Sequence, residues 1–364
     1  MIINLSNLDT ESFKVKAGEI NGNPVFLINP AELNCKWTKD NLHFRSLLID
    51  KDGNILSHSL KKFFNFTEKP DLYPNPENFN DLVLEDKIDG SLVCVDWIFG
   101  SLNLRTRGTI SYKKLENAAD FDYIIKKYPN LESVARANPD DTLLFEITTP
   151  NNVIILKYEN EPEIRFLGFI HKKTGLYYPA YSEAGKGYVK HIGCKVPEIY
   201  KIEGSLLDIN DNIKKWENKE GCVLKYGDSQ NFIKFKSLQY LNLHRFKSQC
   251  NVNNLLDLYF EWDCPLHMDF LKKIEVAFDF ECASMSASIV DDIMFARQQA
   301  EYVISSLHVF VLWNKNLDQK SFALKNLADN KGDASFCFEI RNKGELSKKS
   351  LRKLIERETE ELKC

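Results

Sequence analysis

The sequence predicts an α+β fold in which an antiparallel-sheet domain, residues 1–245, is followed by an all-helical domain, residues 246–364. Three observations carry this prediction. From about 25 to 237, short runs of β-branched and aromatic residues alternate with turn residues, the pattern of strands. Two of the turns, Lys172-Lys173-Thr174-Gly175 and Tyr226-Gly227-Asp228-Ser229, separate neighbouring apolar runs, as antiparallel hairpins require. After about 238 the apolar residues return every three or four positions and strand signals fade. With 364 residues and 43% hydrophobic content, the chain can bury two cores.

In chain order, the strand candidates are 82–97, 102–106, 143–148, 164–170, 222–226 and 232–235. A helix is expected over 113–136, where Leu115, Ala118, Ala119, Tyr123 and Ile124 recur at helical spacing inside the sheet region. This interruption fits α+β better than a regular βαβ alternation. The helices expected after the boundary are 254–260, 269–283, 289–313 and 348–361. A proline-rich loop, Pro70-Asp71-Leu72-Tyr73-Pro74-Asn75-Pro76, stands just ahead of the first strand candidate.

Composition narrows the chemistry. Nine cysteines stand singly, with no CxxC pair and an odd count, which predicts reduced thiols and no zinc site. Seven scattered histidines show no HExxH spacing, so a metal, if used, should bind oxygen. The start of the chain, MIINLSNLDTESF, has no basic segment before an apolar core, and no apolar run reaches the ~18 residues of a membrane span. The expectation is a cytoplasmic protein with no membrane partner. Lys+Arg 48 against Asp+Glu 52 gives a net charge of −4, which argues against a protein that coats nucleic acid.

The strongest local feature is Lys87-Ile88-Asp89-Gly90-Ser91 between the apolar runs Leu82-Val83-Leu84 and Leu92-Val93-Cys94-Val95. A KxDG string alone occurs by chance and reads as a hairpin turn. Its company changes that reading: Arg105-Thr106-Arg107-Gly108, Phe145-Glu146-Ile147, Lys219-Glu220-Gly221-Cys222 and Ile233-Lys234-Phe235-Lys236 follow in order. Period-two alternation sends Lys234 and Lys236 to one strand face and Ile233 and Phe235 to the other. Two ammonium groups on one face repel unless an anion lies between them, and polyphosphate is the natural candidate.

In this order the motifs resemble those of the covalent nucleotidyltransferase superfamily, and most closely the RNA ligase 1 family of tRNA-repair, ATP-dependent RNA ligases of T-even-like bacteriophages. The resemblance extends to Arg45 in Phe44-Arg45-Ser46-Leu47, to Lys62-Phe63-Phe64-Asn65, to Pro150-Asn151, and to Tyr240 with His244, and covers most of residues 25–250. It implies that Lys87 attacks the α-phosphorus of ATP to form a lysyl phosphoramidate. It also implies that Lys234 and Lys236 hold the α-phosphate region, that Arg45 and Lys62 hold the outer phosphates, and that these cations disfavour charge on Lys87. Glu146 would accept from the ribose hydroxyls, Glu220 would place Mg2+ or Mn2+, and Leu167 and Val223 would sandwich adenine. Asp89 and Gly90 would shape the turn after Lys87. Arg105, Arg107 and Tyr240 would meet the substrate RNA, the arginines by bidentate contact with phosphate. Strand alternation points Asp86 away from the nucleophile, and no firm match exists for the family's second metal acid, with Asp257 and Asp263 as the nearby options.

The implied function is the joining of RNA 3′-OH and 5′-phosphate ends through lysyl-AMP and RNA-adenylate, with broken tRNA anticodon loops as substrate. The implied setting is a monomer in a host cytoplasm, with an end-healing polynucleotide kinase/phosphatase as functional partner. Two alternatives stand beside it. A DNA ligase or capping-type guanylyltransferase would share the first step, but such relatives usually continue after the Lys234/Lys236 motif into a small β-barrel, where this chain reads as helix. A catalytically inactive RNA-end-binding protein would keep the pocket and lose the chemistry. The Lys348–Lys353 basic run reads as the solvated face of a terminal helix.

Overall fold

The computed structural model describes residues 2–31, 35–263, 266–277 and 280–362. Contacts divide the chain into two compact units, Met1–Leu241 and Asn242–Cys364.

The first unit is built on three sheets. β1 (Phe13–Ile20), β2 (Asn23–Pro30), β3 (Leu47–Asp50) and β4 (Ile55–Ser57) form an antiparallel sheet in sequence order. The remaining strands are β5 (Phe64–Asn65), β6 (Val83–Asp86), β7 (Ser91–Ile98), β8 (Ser101–Thr106), β9 (Asp141–Thr148), β10 (Glu163–His171), β11 (Tyr177–Pro179), β12 (Ile199–Tyr200), β13 (Gly221–Tyr226) and β14 (Asn231–Lys236). They make two five-stranded sheets, ordered β11-β10-β9-β7-β8 and β12-β6-β13-β14-β5. Both expected hairpins form, β10 with β11 and β13 with β14, each antiparallel. Cys94, Leu144, Ile170 and Tyr177 from one five-stranded sheet pack with Phe232 of the other and with Phe63, so the two sheets face each other across an apolar layer.

Two sequence expectations need correction. The run 82–97 is not one strand: β6 belongs to one five-stranded sheet and β7 to the other, and residues 87–90 are the crossing between them. The expected helix 113–136 is two helices, α1 (Ala118–Lys127) and α2 (Asn130–Ala137), preceded by a single 3-10 turn. Pro129 causes the break, because its ring removes a backbone donor and biases Tyr128 away from helical geometry. Phe121, Ile124, Leu131 and Val134 of these helices pack on Val93, Val95, Leu143 and Phe145. Two further helices, α3 (Glu183–Ile192) and α4 (Leu206–Ile213), were not expected; Ser182 and Ser205 cap their N-termini.

A helix α5 (Leu238–Gln249) spans the boundary. The second unit contains α6 (Val252–Glu261), α7 (His267–Ala277), α8 (Phe280–Trp313), α9 (Gln319–Asp329), α10 (Ala334–Lys343) and α11 (Lys348–Glu361). Its described residues hold no strand, as the three-to-four spacing predicts. Leu307, Phe322, Cys337 and Ile340 form one of its cores. The expected helix 269–283 divides between α7 and α8, and its residues 278 and 279 lie outside the described set. Cys35, Cys94, Cys194, Cys222, Cys250, Cys282 and Cys337 form no disulfide, whereas Cys264 and Cys364 lie outside the described residues.

Candidate active site

Lys87 stands on the crossing between the two five-stranded sheets, where its backbone N–H donates to the Gly221 carbonyl at 2.9 Å. That bond ties the start of the KxDG turn to the start of β13. Gly90 ends the turn against β9: a Cβ there would lie 2.4 Å from the Ile147 carbonyl oxygen, so only glycine lets the chain pass. Asp89 fixes what lies between. Its Oδ2 accepts from the Ile155 and Leu156 N–H groups at 2.7 and 2.8 Å, and its Oδ1 accepts from the Tyr240 hydroxyl at 2.7 Å. Its own N–H donates to the Tyr158 oxygen at 2.8 Å.

The Lys87 ammonium is 2.8 Å from Glu220 Oε2, and Lys236 is 2.9 Å from Oε1 of the same carboxylate. Glu220 is nearly buried, at 2% exposure, so the two contacts are only weakly screened by water. The register of β13 and β14 sets this arrangement: Val223 lies opposite Lys234 and Gly221 opposite Lys236, on the face predicted by alternation. Val223 and Leu167 are both half-buried and pack on the same apolar cluster, as two walls of one pocket would. Leu167 occupies the irregularity between Phe166 and Gly168, where the β9–β10 register shifts.

The remaining cations gather about the Phe63 ring, with the Arg45 guanidinium carbon 5.8 Å and Lys234 Nζ 5.1 Å from its centre. Lys62 lies over the Phe64 ring at 4.7 Å. Burial, then the charges of Lys62, Arg45, Lys87 and Lys236, lowers the pKa of Lys234 to about 7. Burial and then Arg107 lower that of Arg45 to about 10, and burial and then Arg45 lower that of Lys62. Burial raises Glu146, on β9, to about 7, against the opposing pull of Lys87. Mutual crowding of this kind is typical of a site waiting for an anion.

The structure brings together Lys87, Glu220, Lys236, Lys234, Glu146, Arg45 and Lys62, but corrects three of the expected roles. Lys87 is not depressed by its cationic neighbours. Burial works against its charge, yet Glu220, Glu146 and Asp89 outweigh that and hold its pKa above the ordinary lysine value. Arg105 does not face substrate, because it is fully buried. Its guanidinium donates to Ser57 Oγ at 2.9 Å, Ser46 Oγ at 2.6 Å, and the carbonyls of Ser46 and His58 at 3.0 and 3.1 Å. Tyr240 is 4% exposed, with its hydroxyl committed to Asp89 and Lys236 4.7 Å from its ring centre, so it braces the turn after Lys87 and presents little surface to a substrate. Arg107, by contrast, is exposed and close enough to depress Arg45 and Lys62. Asp86 faces Lys219 and Tyr200, away from Lys87, as alternation predicts.

Sequence reading missed Tyr158 and gave Ser46, quoted only beside Arg45, no role of its own. Ser46 adopts φ 67°, a left-handed conformation that a serine rarely takes, and two of the Arg105 bonds hold it there, directly beside Arg45. No local pattern marks either residue; both are found through partners far away in sequence. In the second unit, Asp257 and Asp263 are ion-paired with Arg352 and Lys348 at 2.8 and 3.0 Å. Among the described residues no group of three or more acidic, histidine or cysteine side chains forms a cage for a metal. Two carboxylates on a phosphate site still fit Mg2+ or Mn2+, ions that take one or two carboxylates and draw their remaining ligands from water and substrate phosphate.

A family model described as RNA ligase matches residues 43–247, more than half of the chain. A putative bifunctional polynucleotide kinase/RNA ligase of Autographa californica nuclear polyhedrosis virus is 26% identical over 256 residues, covering 62% of this chain and 33% of that protein. A putative RNA ligase of Thermovibrio ammonificans is 25% identical over 200 residues, covering 53% of this chain and 50% of the relative. The chain thus spans between a third and a half of the length of these relatives. Among solved structures, an archaeal ATP-dependent RNA ligase aligns with a TM-score of 0.47 at 16% identity, over 81% of this chain and 76% of that one.

Proposed function

The chain belongs to the RNA ligase family, and from that premise we propose that it is an ATP-dependent ligase that joins RNA 3′-OH and 5′-phosphate ends, with broken tRNA as substrate. The observation that carries this reading is the convergence of Lys87, Lys234, Lys236, Arg45 and Lys62 from separate stretches of chain onto one cleft that also holds Glu220 and Glu146.

In the first step the Lys87 amine attacks the α-phosphorus of ATP, an N–P bond forms, and the bond to pyrophosphate breaks. Lys234, Lys236, Arg45 and Lys62 bind the triphosphate and balance charge on the departing pyrophosphate. Leu167 and Val223 enclose adenine, and Glu146 accepts from the ribose. In the second step a 5′-phosphate oxygen of RNA attacks the same phosphorus and the N–P bond breaks, returning the lysine. In the third the 3′-hydroxyl attacks the RNA 5′-phosphorus and AMP leaves. Glu220 would hold a divalent cation, which would neutralise this carboxylate and weaken the ion pair that keeps Lys87 protonated. An end-healing kinase/phosphatase would supply the required ends.

Incubation with α-labelled ATP and Mg2+ tests the reading. The protein should form a covalent AMP adduct that Lys87→Ala abolishes, and should seal a nicked RNA hairpin faster than a nicked DNA duplex. Absence of the adduct would overturn the catalytic reading. Faster sealing of DNA would favour the DNA ligase alternative.

A further inference from the structure

β9 and β10 are joined by residues 149–162, which contain no helix or strand. Connections of this length are uncommon in compact domains and usually have a task. Glu163 pairs with Thr148 across the ladder, so the segment leaves the sheet and returns to the same place, as an Ω-loop does. Both of its ends are fastened. The Asn151 side chain donates to Asp120 Oδ1 on α1 at 2.8 Å, and the Asn152 N–H donates to Thr149 Oγ1 at 3.0 Å. At the other end Arg165 pairs with Glu159 and donates to Thr148 Oγ1 at 3.1 Å, while its guanidinium carbon lies 5.3 Å from the centre of the Tyr158 ring.

Between these fastenings the loop is laid against the turn that follows the nucleophile. Its apolar run, Val153-Ile154-Ile155-Leu156, is half-buried throughout. The Ile155 and Leu156 N–H groups donate to Asp89 Oδ2, and the Tyr158 oxygen receives the Asp89 N–H at 2.8 Å. Loop and turn therefore bond in both directions, and with Asp89 4% exposed, water competes little for these contacts. Burial holds the Tyr158 phenol above the ordinary tyrosine range, which keeps its hydroxyl neutral.

The rest of the turn is held by other elements. Gly221 receives the Lys87 N–H, the Ile147 carbonyl closes on Gly90, and Tyr240 donates to Asp89 Oδ1. Tyr158 alone among these takes the backbone N–H of Asp89, two residues beyond the nucleophile, and so fixes the path of the chain as it leaves Lys87. An amine that must meet a phosphorus in line tolerates little displacement of that path.

We propose that Tyr158 is a positioning residue for the adenylation step: it holds the turn that aims Lys87, and the Ω-loop is the frame that keeps Tyr158 in place. The proposal rests on the ligase reading. The loop acts on the steps in which a bond to Lys87 forms or breaks. It does not act on the closing step, in which the RNA 3′-hydroxyl attacks the 5′-phosphorus of RNA-adenylate and AMP leaves without a covalent part for lysine.

Full-length Tyr158→Phe keeps the ring beside Arg165 and removes the oxygen that receives the Asp89 N–H. The control, Tyr188→Phe, removes a hydroxyl bonded at 2.6 Å to Asp141, which lies roughly 20 Å along β9 from Ile147. With α-labelled ATP and Mg2+, adduct formation in Tyr158→Phe at saturating ATP should fall by roughly 30-fold, with KM for ATP within about threefold of wild type. Sealing of a pre-adenylated RNA hairpin should stay within about threefold, and Tyr188→Phe should change neither reaction. Adduct formation within about twofold of wild type overturns the proposal, as does an equal loss in both reactions, an equal loss in Tyr188→Phe, or a loss carried by KM. Labelling of Lys87 with N-hydroxysuccinimide acetate, read by peptide mass spectrometry, needs no ATP and should rise severalfold in Tyr158→Phe, because a shifted turn loosens the Lys87–Glu220 pair. Unchanged labelling also overturns it. Failure of the wild-type protein to form the adduct would instead strike the ligase reading, and the labelling would still decide whether Tyr158 positions Lys87.

Discussion

Glu220 holds two ammonium groups, Lys87 and Lys236, on its two oxygens, while Lys234 is left among cations with its pKa near 7. The pH dependence of stability follows from which group is displaced. Between about pH 7 and the ordinary lysine value, the unfolded chain binds a proton at residue 234 that the folded chain does not, so this group makes the nucleotide-free protein more stable as pH rises. Glu146, raised to about 7, acts in the opposite sense: the folded state holds the extra proton, and its contribution fades as pH rises from about 4.5 to 7. Lys234→Met should therefore raise the melting temperature at pH 7 and remove the rise above it, while Glu146→Gln should flatten the acid side; thermal unfolding across pH checks both. Arg105→Met should leave the Ser46, Ser57 and His58 acceptors buried without their donor, costing about 3 kcal/mol or more in urea unfolding. It should also raise KM for ATP more than it lowers kcat, since Ser46 would no longer be held in the conformation that presents Arg45. That Lys87, Glu220, Lys234 and Lys236 come together was legible from the order of their motifs and from strand alternation. Their protonation was not, because it depends on which carboxylate lands beside which amine after folding.

At the scale of elements, sequence patterns located most strands of the two five-stranded sheets and lost the joints. The 82–97 run reads as continuous because both of its halves are buried and apolar, and only three-dimensional pairing reveals that β6 and β7 belong to different sheets. Pro129 was the available signal for the break between α1 and α2. In the second unit, α9 and α10 escaped notice although Asp318 caps the first and Gly344, at φ 82°, ends the second. The joint at Gly90 gives an element-level prediction. Gly90→Ala would put a methyl 2.4 Å from the Ile147 oxygen and push the turn after Lys87 away from β9. Adduct formation should drop by a factor on the order of 100 while circular dichroism stays near wild type, since a misplacement of about 1 Å at a reacting group costs that much.

For the whole molecule, the balance of −4 is an average over charges that folding sorts into regions. Arg45, Lys62, Lys234 and Lys236 converge, whereas Asp257 and Asp263 are spent on Arg352 and Lys348 in the other unit. Net charge limits non-specific affinity, whereas local charge sets where phosphate binds. The division of the chain near residue 241 gives the test at this scale. A chain ending at Cys250 should still form the Lys87 adduct and should lose sealing of a nicked tRNA by roughly tenfold or more, while sealing an unstructured oligoribonucleotide within about threefold; equal losses would remove the second unit from substrate choice.

The ion pair at Lys87 also sets how the protein rests between encounters. A protonated amine clasped by a nearly buried carboxylate has no lone pair to offer, so carbamylating and acylating metabolites that scavenge free lysines would find this one closed. An amine held in this way stays sheltered until a substrate displaces the carboxylate.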